Sequence, residues 1–197
     1  MPRILPQQEN DMSPEYKSLL QHSGANMGFK SNDIFTLARV PGVIEGLGMI
    51  TKSIYGKDGL ITNHLKRLIS IITSSASGCT YCQAHTVHGA KQAGVDDEKL
   101  AAVWDYENSN LFSEPEKAAL RVAQGAGFSP VEVTDKQFSD LKNYFSDNQI
   151  CEIVAVISLF GFLNKWNATL ATDIESTPLR TFENVKKDNK TLLTNNT

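Results

Sequence analysis

At 197 residues, 41% hydrophobic and 21% charged, the chain is long enough for one domain with a real core, or for one domain plus tails, and it has the make-up of a globular soluble protein. A net charge of -3 supplies no attraction for nucleic acid or an anionic membrane, so neither is expected as a partner. The start, MPRILPQQEND, lacks the apolar core of a signal peptide, and the longest apolar run, Ile150 to Leu163, is broken by Glu152, Ser158 and Gly161. A cytoplasmic address and a buried helix, rather than a membrane span, are therefore expected.

Residues 1–12 read as an N-terminal arm with Pro2 and Pro6. Ser13-Pro14-Glu15 combines a cap, a first-position proline and an acidic first turn, and predicts a short helix to about His22. A loop over 24–31 follows. Asn32-Asp33 opens a helix that Pro41 kinks or restarts, and a glycine-rich helical pattern continues from Gly42 to Tyr55. Apolar residues at 61, 65, 68, 69, 72 and 76 predict a helix over Leu60 to Ser77, in spite of the β-branched Ile69, Ile71, Ile72 and Thr73. Gly78 breaks it, and a new helix starts at Cys79 and runs to about Ala93, with Gly94 as its cap. Further helices are predicted over 96–107, 113–126 (opened by the Ser113–Glu116 capping box), 134–145 and 148–172. Residues 176–197 read as a polar tail. Hairpin signals are absent, so the expectation is one all-α domain of seven to nine helices over residues 1–175.

The dense cluster of reactive groups is Ser77-Gly78-Cys79-Thr80-Tyr81-Cys82-Gln83-Ala84-His85-Thr86-Val87-His88. Residues three apart are neighbours on a helix, so Cys79, Cys82, His85 and His88 form one drifting stripe. The two cysteines can close a disulfide across one turn, and His85 can reach the Cys82 sulfur and take its proton. Thiolates, not thiols, attack peroxides and disulfides, and both a helix N-terminus and an imidazole favour the charged form. The dipole by itself favours Cys79 as the more acidic thiol. Two ordinary core cysteines are one alternative. Half of a zinc site is another, but four ligands on consecutive turns of one helix cannot converge on a tetrahedral ion, so no metal is expected. No nucleotide, flavin or haem motif is present either, since Gly42, Gly46 and Gly48 are wrongly spaced for a dinucleotide loop.

With SGCTYCQAHTVHGAKQAGV behind an apolar helix, and DNQICEIVAVISLFGFLNKWNATLAT further on, the sequence resembles the carboxymuconolactone decarboxylase superfamily, in its AhpD-like alkyl hydroperoxidase branch. The resemblance covers roughly Leu60 to Thr172. It implies an all-helical fold and a homo-oligomer, often a trimer or hexamer. It also implies reduction of hydroperoxides through the cysteine pair, with electrons from a separate thiol, thioredoxin-like or lipoyl-type donor. In that pattern Cys82 attacks and Cys79 resolves. Two positions depart from it: Thr86 stands where the pattern has a histidine, and Arg67 where it has a glutamate. His85 is the substitute base, and Arg67 is a candidate to lower a thiol pKa by its charge.

Tyr81 is expected at a pocket mouth, and Glu152 is a candidate replacement carboxylate. Asn164, Trp166 and Asn167 are expected to pack through hydrogen-bonded amides or to line a pocket. His88 reads as a packed histidine or a relay member, and Cys151 as a small buried hydrophobe. The leading function is a thiol-dependent hydroperoxide reductase. A disulfide reductase or redox relay for a partner protein, and a non-enzymatic redox-sensing or metal-binding oligomer, are the alternatives.

Overall fold

A computed structural model describes residues 1–40 and 42–195. They form ten α-helices, eight of them with seven or more residues, and no strand. The kink expected at Pro41 lies outside the described residues.

Helix α1 (Pro14–Met27) begins where Ser13 accepts the Tyr16 N–H, as its sequence predicts. It runs past the expected end at His22 and stops only at Gly28, whose φ of 78° is the left-handed turn that releases the chain. Helices α2 (Asn32–Leu37) and α3 (Val43–Tyr55) follow. The centre of the molecule is α4 (Asn63–Ala76). Leu65, Leu68, Ile69, Ile71 and Ile72 are buried around most of its circumference, which is why isoleucines suit it despite their helix propensity. Helix α5 (Thr80–Gln92), α7 (Glu114–Gly127) and α9 (Asp147–Leu170) pack against α4. Helix α6 (Asp97–Ala102) continues into a 3-10 turn, and α8 (Asp135–Lys142) leans on α7. Capping boxes open α7, α8 and α9.

Three expectations are corrected. Helix α9 runs unbroken through Glu152, Ser158 and Gly161, and by length and composition it is long and apolar enough to cross a membrane. Only its inner stripe, including Ile150, Ile153, Val156 and Ile157, is buried, against α4, α5 and α7. Cys151 lies outside that stripe and is exposed, not buried. The predicted polar tail is instead helix α10 (Ser176–Asn195), packed on α5 and α6. Phe182 and Val185 supply its apolar contacts, the Phe182 ring meets Trp104 edge-on at 6.1 Å, and Asn189 donates to the Ala101 carbonyl at 2.6 Å. A narrow stripe in a polar background is enough when the facing surface already exists.

Candidate active site

The turn from α4 into α5 places the cysteines. Gly78 adopts φ 70°, a left-handed conformation that a side chain resists. The Cys79 N–H then bonds the Ser74 carbonyl at 3.2 Å, and Cys79 becomes the N-cap of α5. Its Sγ accepts the Cys82 N–H at 3.3 Å, the task that serine or aspartate usually performs. The two Sγ atoms lie 2.9 Å apart as free thiols, and the residues are 2% and 3% exposed. Leu163 and Ile174 pack against them.

The two sulfurs differ in acidity. The hydrogen bond from Cys82, with the backbone N–H groups of Cys82 and Tyr81, holds the Cys79 thiol below its ordinary range against burial and the nearby Asp33. Burial pushes Cys82 up, helped by the Cys79 charge and Asp33, and only the Asn167 amide pulls the other way. Of the two, Cys79 is therefore the more acidic thiol, the one that ionises first, and Cys82 the one that keeps its proton longer. This acidity order is the one the helix dipole favours and the reverse of the roles the resemblance implies.

His85 does not bond either sulfur. Its Nε2 lies 2.6 Å from Glu175 Oε2, and its ring stacks on Tyr81 with centroids 4.1 Å apart. Tyr81 is not at a pocket mouth. It is buried; its hydroxyl accepts the Asp33 N–H at 3.2 Å and donates to Glu175 Oε1 at 3.1 Å. The Asn32 N–H also donates to Glu175. Burial raises the Glu175 carboxyl, but the His85 hydrogen bond and charge, with the Asn32 N–H, outweigh it and hold the group below the carboxylate range. Asp33 goes the other way: burial and the Glu175 charge raise it, against His85, Asn167 and Tyr81. Asn167, 1% exposed on α9, directs Nδ2 to Cys82 Sγ at 3.7 Å.

The other candidates stand elsewhere. His88 is a packed histidine, held by the Met27 carbonyl at 3.0 Å and by Thr181 Oγ1 at 3.1 Å. The Thr86 hydroxyl donates to the Gln83 carbonyl of its own helix at 3.1 Å. Arg67 lies over the Tyr55 ring, 4.3 Å from its centroid, and is not among the groups acting on the thiols. Glu152 sits at the far end of α9, where it pairs with buried Lys66 at 2.8 Å and accepts the N–H groups of Leu60 and Ile61. Trp166 donates to Thr36 Oγ1 at 3.0 Å, whereas neither amide atom of Asn164 has a partner among the described residues. Among those residues no three His, Cys, Asp or Glu side chains converge on a metal position.

Sequence reasoning found the sulfurs and His85 but missed Asp33 and Glu175. Asp33 reads as an ordinary helix opener, and Glu175 lies 93 positions beyond Cys82 with no motif around it.

Residues 45–125 match the model of the carboxymuconolactone decarboxylase family. The chain is 33% identical to the debrominase Bmp8, covering 92% of this chain and 96% of that one, with a TM-score of 0.85. It shares its fold with an AhpD-core, peroxidase-related protein of Ralstonia eutropha JMP134, at 22% identity, 90% and 94% coverage and a TM-score of 0.76. Over residues 45–125 the chain belongs to the carboxymuconolactone decarboxylase family, and its fold is AhpD-like. Another relative, the uncharacterised YnjA of Escherichia coli K12, is 25% identical over 132 residues, 67% of this chain and 72% of YnjA. The family segment of this AhpD-like chain holds the sulfurs, Tyr81 and His85. Asp33, Asn167 and Glu175 come from the helices and the connection that flank it.

Proposed function

We propose that the protein is a two-cysteine reductase that passes an electron pair from the Cys79–Cys82 dithiol to a hydroperoxide. The observation that carries this reading is the pair itself: a cysteine capping a helix N-terminus with the second thiol 2.9 Å away. The Cys79 thiolate attacks the terminal peroxide oxygen, the O–O bond breaks, and an alkoxide leaves that takes up a proton. Cys82 Sγ then attacks the sulfenic sulfur, water leaves, and a Cys79–Cys82 disulfide remains. A thiol, thioredoxin-like or lipoyl-type donor restores the dithiol, which fits a reducing compartment such as the cytoplasm.

A second reading, reductive debromination, is favoured by the 33% identity to Bmp8 over nearly the whole chain. A cysteine-to-alanine variant of Bmp8, with 2,3,4-tribromopyrrole bound, matches this chain with a TM-score of 0.86. There the thiolate would take the bromine, the carbon would take the C–Br electron pair and a proton, and the second thiol would displace bromide to form the same disulfide.

The test is oxidation of the reduced protein by cumene hydroperoxide and by a bromopyrrole, followed by intact mass and released bromide. Loss of two hydrogens with hydroperoxide, faster than for free cysteine, supports the first reading. Bromide release with the same mass change, and no fast peroxide reaction, supports the second. Cys82→Ser is expected to trap a sulfenic acid on Cys79. Trapping on Cys82 in Cys79→Ser instead would restore the roles the resemblance implies.

A further inference from the structure

Two groups hydrogen-bond Cys82 Sγ, and they come from distant parts of the chain. Cys79 Sγ lies 2.9 Å away, and Asn167 Nδ2, 85 positions later, lies 3.7 Å away. His85, the imidazole that helical spacing puts beside this sulfur, bonds Glu175 instead. Asn167 stands in the last turn of α9, where its carbonyl accepts the Thr172 N–H at 3.1 Å and the helix closes at Ala171 with φ 51°. Leu163, one turn earlier on the same face, packs on the sulfur cluster. The Asn167 side chain is 1% exposed, and its Oδ1 is buried with no hydrogen-bond partner among the described residues. An unpaired buried carbonyl lowers stability, so an apolar side chain of similar size would serve packing at least as well. What such a side chain could not supply is the N–H on sulfur. The two cysteines thus differ in their donors: Cys79 Sγ takes its N–H from the main chain at the start of α5, and Cys82 Sγ takes its own from a side chain of α9.

We propose that Asn167 is a catalytic residue for the second half of the reaction: its amide N–H holds the negative charge that Cys82 Sγ carries as this sulfur closes the disulfide. The inference rests on the dithiol-reductase reading but not on which substrate is reduced. Once Cys79 has become a sulfenic acid, the hydrogen bond between the two thiols is gone, and the amide N–H stays in place. Cys82 Sγ gives up its proton and attacks the Cys79 sulfur. The S–S bond forms, the S–O bond breaks, and the oxygen leaves as hydroxide and takes up the proton as water. A bromine carried by Cys79 would leave as bromide in the same attack, with the Cys82 proton passing to solvent. Cys82 Sγ is charged only in passing, so a hydrogen bond to it is stronger in the transition state than in the resting thiol. Burial opposes ionisation of Cys82, and the amide pulls against burial. The same amide acts on Asp33, and its two N–H groups suffice for both neighbours.

The experiment compares wild type, Asn167→Leu and Asn167→Ala as full-length reduced proteins. The leucine keeps the volume, and the alanine cannot overpack. Each is mixed with cumene hydroperoxide, at concentrations that make the first step faster than the second, and quenched with dimedone. Intact mass then reads the sulfenic acid and the disulfide separately. Both variants are expected to form the sulfenic acid at a rate within a small factor of wild type and to close the disulfide about tenfold or more slowly. The dimedone adduct therefore accumulates although both cysteines are present. Slowing of both steps alike, of the first alone, or of neither overturns the proposal. A second readout needs no substrate: alkylation of Cys82 by iodoacetamide in Cys79→Ser, with and without Asn167→Leu. Loss of the amide is expected to slow it about tenfold at a given pH, because less of the sulfur is ionised; an equal or faster rate overturns the proposal. A wild type inert to hydroperoxide and to a bromopyrrole would end the reductase reading and leave the alkylation rates to decide the role of Asn167.

Discussion

Cys79 occupies a position where a side chain must accept a backbone N–H, and a thiolate accepts it better than a thiol. The contact that starts α5 therefore adds to the larger effect of the Cys82 hydrogen bond in favouring the charged form of this sulfur. Alkylation by iodoacetamide is expected to remain fast at Cys79 below the ordinary thiol range. Cys82 in Cys79→Ser is expected to react slowly until well above it, because burial raises it. Rate against pH, read by peptide mass, checks both. Glu175 makes a second prediction with a definite sign. Its folded-state pKa is depressed, so its contribution to stability is present above the unfolded carboxylate pKa and is lost as pH falls through the folded value. Glu175→Gln is expected to cost about 1–3 kcal/mol at neutral pH and to flatten the acid side of the stability curve, measured by urea unfolding at several pH values.

At the level of elements, the connections matter as much as the helices. The α4–α5 turn depends on Gly78 at φ 70°. Gly78→Ala is expected to cost about 1–2 kcal/mol in left-handed strain and to weaken the Cys79 cap, seen as a lower Tm and a less acidic thiol. Lys66 and Glu152 tie the entry of α4 to the first turns of α9, with both side chains largely out of water. Glu152→Ala strands a buried ammonium and two backbone N–H groups, and a loss of about 3–5 kcal/mol is expected in chemical unfolding. Helix α10 is held by a thin stripe. Val185→Ala is expected to cost about 2 kcal/mol, and its effect should be read by hydrogen exchange on α10 as well as by global unfolding.

For the whole molecule, the outer side of the α3–α9 pair is the feature that core packing does not explain. Gly42, Val43, Gly46, Leu47 and Ile50 face Ala155, Ser158, Leu159 and Phe162 across an open groove, and Val154 and Phe162 are 42% and 41% exposed. An exposed apolar patch of this kind is a candidate interaction surface. Self-association is the expected result, in keeping with the oligomer that the family resemblance implies. Sedimentation velocity of wild type against Phe162→Glu is the check: a smaller species is expected in the variant.

The helical class, most boundaries and the sulfur centre were legible in the sequence because they depend on local physics. A 3.6-residue apolar period, serine and threonine caps with glutamate or glutamine at the third position, and two cysteines one turn apart are each visible within a short window. The direction of the Cys79 shift was legible too, although its largest cause is the Cys82 thiol and the helix start adds to it. What the window cannot hold is the identity of partners brought from far away. His85 looked like a base for Cys82 until Glu175, 90 positions later, proved to be its partner. Glu152, the apparent substitute carboxylate, serves Lys66 because α9 is long enough to carry it to the opposite end of the bundle from Asn167. The polar C-terminal stretch folds as α10 only because α5 and α6 offer it a surface, and its own apolar stripe is too thin to announce a helix. Sequence by itself thus determined the helices and the dithiol. The tertiary structure decided the protons, because burial and opposing charges set them, and those are properties of neighbours rather than of spacing.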